Sequence, residues 1–77
     1  MNREMYEVWE RGSGNRLGEF YTEGEAIETV RVISEDDRGG IDTLVLVFAN
    51  ETGRVQEVAS GAGLGELVRH HRRTAAL

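Results

Sequence analysis

Seventy-seven residues hold fourteen acidic side chains, nine arginines, no cysteine and a formal net charge of −5. A chain this short buries only about 60% of the surface that it exposes unfolded, so the expectation is one domain (1–77) with a thin core that neither disulfides nor thiolate metal sites supplement. All fourteen acids and six of the arginines precede Leu67, and such an acidic body repels phosphates, which argues against nucleic-acid binding by the body.

The start, MNREMYEVWE, is charged and lacks the apolar stretch of a signal peptide. The longest apolar run, Leu44 to Ala49, falls far short of the roughly 20 residues that span a bilayer. Both features lead us to expect a soluble, cytoplasmic chain with no membrane partner. Within that start, YEVWE has the aromatic and β-branched residues that strands favour. GSGN follows with glycines and an Asn suited to the positive φ of a hairpin turn. RLGEFY returns as a second strand, in which Gly18 marks a bulge or a close approach. TEGE, Thr22 to Glu25, has capping-box spacing: the Thr hydroxyl serves the N3 amide and Glu25 reaches back to the cap amide. The predicted helix then sets Ala26, Ile27, Val30 and Ile33 on one stripe, and SEDDRGG ends it.

DTLVLVFAN opens the second half as a strand that is apolar on both sides. Leu44, Leu46 and Phe48 form one face; Val45, Val47 and Ala49 form the other. Burial on both faces produces this pattern. NETG turns the chain into a fourth strand, and SGAGLGEL leads into a second helix with Leu64, Leu67, Val68 and His71 on its apolar side. Three glycines in that joint weaken the start of the helix, each by up to about 1 kcal/mol relative to alanine. Such a helix docks late, frays, or packs on another subunit.

The two halves read alike. Laying Trp9–Arg31 over Phe48–Arg69 with one gap at Asn15 matches Gly14 with Gly53, Glu19 with Glu57, and Val30–Arg31 with Val68–Arg69. The predicted fold is therefore α+β, ββαββα, with a four-stranded antiparallel sheet and both helices on one face. It divides into ββα units at 5–34 and 42–77, an internal duplication or pseudo-symmetry. Two helices cover one face only, leaving Val45 and Val47 with some first-strand residues on the other. An apolar patch of that size marks a partner, and a homodimer through that face is the simplest expectation. The competing arrangement is a twisted sheet whose ends fold over the face.

Chemistry-bearing motifs are scarce. SGAGLGEL resembles a phosphate loop, but its spacing is GxGxG, no Lys-Ser/Thr follows, and Glu57 and Glu66 flank it. His70 and His71 point about 100° apart on a helix, so they do not share one metal. Glu66 with His70 supplies two ligands, too few without a symmetric partner. Arg69, Arg72 and Arg73 form the one basic cluster, read either as phosphate contacts or as complements to the helix dipole. Trp9 is either a recognition anchor or a core filler. Ser13, Ser34 and Ser60 lack a nucleophile-elbow context.

YEVW…SGN…G.F.TE.EA…VR, here Tyr6 through Arg31, resembles a family of short uncharacterised bacterial proteins. Glu10 stands where that pattern often has Asp after the Trp. The resemblance covers about a third of the chain well and the later half more loosely. It implies a compact, stand-alone, non-secreted bacterial domain and assigns no functional residue. The expectation is therefore a non-catalytic interaction module that self-associates and binds another protein, with no cofactor. Its interface candidates are Trp9, Val45, Val47, Leu64, Leu67 and His71. The alternative is a nucleic-acid-associated regulator using Arg69, Arg72 and Arg73. A ligand or metal sensor built on Glu66, His70 and His71 is a third reading.

Overall fold

The computed structural model describes residues 4–36 and 40–75, of which Asp36 and residues 72–75 are described by their backbone alone. Strands β1 (Met5–Glu10) and β2 (Arg16–Phe20) precede helix α1 (Glu23–Asp36). A short 3₁₀ turn (Gly40–Thr43) leads into β3 (Leu44–Ala49), β4 (Val55–Ser60) and helix α2 (Gly61–Ala75). All pairings are antiparallel, in the order β2-β1-β3-β4. The architecture is α+β, ββαββα, as the sequence leads one to expect.

Both hairpins turn on a glycine with left-handed backbone, Gly14 at φ 71° and Gly53 at φ 86°, a conformation that side chains resist. In the first turn the Glu10 amide donates to the Asn15 carbonyl and the Gly14 amide to the Glu10 carbonyl, each at 2.9 Å. In the second, Asn50 and Arg54 take the places of Glu10 and Asn15, and Asn50 Oδ1 also accepts from the Thr52 and Arg54 amides at 3.0 and 2.9 Å.

These bonds correct the sequence alignment. The extra residue lies inside the first turn, between Glu10 and Gly14, rather than at Asn15. The halves are consequently equated one place out of register before the glycines and again at Arg16 and Leu17, until the Leu17 bulge restores the match of Glu19 with Glu57. Trp9 pairs with Val45 and Phe48 with Tyr6, so the aligned Trp9 and Phe48 face opposite sides of the sheet.

Thr22 caps α1: its Oγ1 accepts from the Glu25 amide at 3.2 Å. The Glu25 carboxylate accepts the Thr22 hydroxyl at 3.1 Å instead of reaching back to the cap amide. On the sheet side below the helices, Val8, Leu44 and Leu46 meet Ala26, Ile27 and Val30 of α1 and Leu64 and Val68 of α2, all buried. Tyr6 and Phe48 extend this layer with ring centroids 5.0 Å apart. Gly18 makes room there: a Cβ on it would lie 2.7 Å from Phe20 Cζ, so the ring would have to shift. No polar side chain is buried among the described residues.

Each edge strand carries a bulge. Trp9 pairs with Arg16 and Val8 with Gly18, leaving Leu17 as the extra residue of β2. Leu46 pairs with Ala59 and Val47 with Glu57, leaving Val58 as that of β4. The result is a slab of 35 × 34 × 17 Å, helices on one broad side and bare sheet on the other.

Candidate interaction surface

Side chains alternate across a strand, so the residues of β1 and β3 not turned to the helices belong to the open face. β1 contributes Met5, Glu7 and Trp9, opposite Ala49, Val47 and Val45 of β3. The edges add Arg16 and Glu19 from β2 and Val55 and Glu57 from β4. The strand apolar on both sides therefore does lie at the centre of the sheet. The consequence drawn for its outer face needs correction.

Val47 is buried, at 8% exposure, within the single chain, although it is no part of the helix-side cluster. It sits between Glu7 and Glu57 in register, and long side chains at cross-strand positions lay their stems over a short neighbour. Val45 and Trp9 are half-buried. The Trp9 indole donates from Nε1 to Glu7 Oε1 at 2.9 Å, and Arg16 reaches Glu7 at 3.4 Å and Glu19 at 3.3 Å. On the far side Arg11 approaches Glu57 at 3.7 Å. The open face is thus an apolar centre held in a frame of both charges. Its most exposed apolar member is Val55, at 60%.

The α2 candidates fall elsewhere. Leu64 is fully buried in the core and Leu67 packs against it, because the stripe that holds them is the stripe that docks α2 on the sheet. His71 is half-buried, and its Cε1 is the nearest atom, at 3.4 Å, to where a Cβ on Gly24 would stand. The side chains of Arg72 and Arg73 lie outside the described ones. Arg69 is paired with Glu66 on the helix surface, which meets both the basic candidate and the carboxylate of the metal reading. Among the described residues, no three His, Cys, Asp or Glu side chains converge as a metal site.

SGAGLGEL is a joint without a loop: β4 ends at Ser60 and α2 begins at Gly61, whose φ is 53°. The three serines bond locally, Ser13 to Glu10, Ser34 to the Arg31 carbonyl and Ser60 to Glu57. Arg31 bridges Glu28 and Glu35, and these hydrogen bonds raise its guanidinium above its already high ordinary pKa.

One feature escaped the sequence analysis. A groove of about 430 Å³ runs between the end of β2, the first turns of α1 and His71 of α2. The signal for it was Gly24, a glycine inside a helix with no positive φ to account for it. The chain matches no protein-family model, no curated protein and no solved structure.

Proposed function

We propose that this protein is a non-catalytic cytoplasmic interaction module that self-associates through the open face of its sheet and presents the helix side to another protein. The observation that carries this reading is the sheet face without helices, where Trp9 is pinned by Glu7 inside a frame of arginines and glutamates. A frame holding both signs complements a second copy of itself, as an isologous two-fold contact demands. The broad side of the slab presents on the order of 900 Å² in plan, above the roughly 800 Å² that each partner covers in a standard interface. Bulges at Leu17 and Val58 interrupt the two outer ladders, a device that discourages edge-to-edge pairing and leaves the face as the route to association.

Sedimentation velocity from low to high micromolar concentration tests the reading. The expected result is a concentration-dependent dimer, weakened about 30-fold or more by Trp9→Ala, the loss typical of a buried aromatic anchor. A clean monomer at the highest concentration overturns it.

A further inference from the structure

We propose that the groove between α1 and α2 docks an arginine side chain of a partner protein. The alkyl stem would lie on Phe20 and the guanidinium beside Glu25, with Glu28, which already holds Arg31, at the far rim. The groove is lined by Phe20, Gly24, Glu25, Glu28, Thr29 and His71. An aromatic floor with carboxylates at its rim suits a planar, weakly hydrated cation better than an anion or a neutral group. Glu25 and Glu28 stand one turn apart on the same helix face, where side chains are neighbours.

Helix α1 carries five acids against one arginine, so charge complementarity favours a basic group along this helix, on the side of the groove away from the arginines of α2. The positive end of the helix does not reverse that preference. Glu23 and Glu25 occupy its first turn, and the Thr22 hydroxyl oxygen already caps the Glu25 amide. A carboxylate accepts about four hydrogen bonds, so the Thr22 hydroxyl leaves Glu25 capacity for a guanidinium. A Cβ on Gly24 would reach van der Waals contact with His71 Cε1, at 3.4 Å, and a larger side chain there would fill this part of the groove. The groove lies on the helix side, so a second copy on the sheet face leaves it accessible.

The full chain, labelled with ¹⁵N, is titrated with acetyl-Ala-Arg-Ala-amide and, in separate arms, with acetyl-Ala-Gln-Ala-amide and spermidine at matched ionic strength. The expected result is saturable amide shifts at Gly24, Thr29 and His71 with the arginine peptide only. Gly24→Val weakens that binding about tenfold or more. Should that variant fail to fold, Glu25→Gln, which retains an oxygen to accept the Thr22 hydroxyl, serves in its place with a loss of several-fold. Equal shifts from the glutamine peptide, equal binding of spermidine, shifts spread to Glu19 and Glu57, or no shift at all would each overturn the proposal. Sedimentation of the same samples separates the two ideas: a monomer that binds the arginine peptide removes the dimer and leaves the groove standing.

Discussion

The two faces of the sheet solve opposite problems with the same two central strands. Toward the helices, Val8, Leu44 and Leu46 are buried in the apolar cluster formed with α1 and α2. On the other side, Glu7 stands between Val47 and Glu19 across the strands and holds Trp9 and Arg16. The first face gains from exclusion of water, and its loss is severe because packing leaves nothing to compensate. The second tolerates water, since its polar members are bonded to one another and still partly wet. Cohesion of the monomer is concentrated on one face, and the contact we propose lies on the other.

Neighbours in sequence provide the sharpest way to break that contrast. Leu46 is fully buried on the helix side, and Leu46→Ala should cost about 2–5 kcal/mol, enough to unfold much of so small a domain. Val47→Ala, one residue on and facing outward, should cost well under half as much. Equal losses in paired thermal or urea unfolding would erase the distinction. Gly18→Val acts on the same helix side by overpacking, since its Cβ would lie 2.7 Å from the Phe20 ring; a loss of about 1–3 kcal/mol is expected. Gly12→Val, in a turn position with no neighbour within 4 Å, is its control and should move the midpoint little.

Smaller effects belong to the open face. Trp9→Phe removes the indole bond to Glu7 while keeping an aromatic ring, with an expected cost of about 1 kcal/mol by unfolding. Glu7→Gln keeps an acceptor for the indole and loses the ion pair with Arg16, about 0.2–1 kcal/mol. The smallest change is Val55→Thr, at an edge position 60% exposed. Its stability should stay within about 0.5 kcal/mol of the parent, while its sedimentation reports directly on whether this corner of the face meets another copy.

Much of this arrangement is legible in the residues. Glycine-bearing turns, the Thr22 cap and the Ala26–Ile27–Val30 stripe are local signals, and each element they mark is present. What escapes depends on neighbours far apart in the chain. Burial of Val47 follows from β1 lying beside β3, which brings Glu7 next to it; a single strand's alternation carries no trace of that. The alignment of the halves slipped because a one-residue difference in turn length can be placed on either side of a glycine, and only the turn bonds decide it. Of the interface candidates, Trp9 does lie on the open face, whereas Leu64 and Leu67 do not. Their apolarity is equally suited to a core or a contact, and the docking of α2 decides for the core. Gly24 is visible in the sequence, but that it lies beside His71 appears only in the fold.

The junction of Ser60 and Gly61 has a further consequence. With no slack between ribbon and rod, a single inserted amino acid there would rotate everything after it by about 100° and lift Leu64 and Val68 off the sheet. One peptide bond thus sets the phase of the second helix. The chain can be lengthened in its hairpins, but at this splice its geometry is indexed like the teeth of a gear.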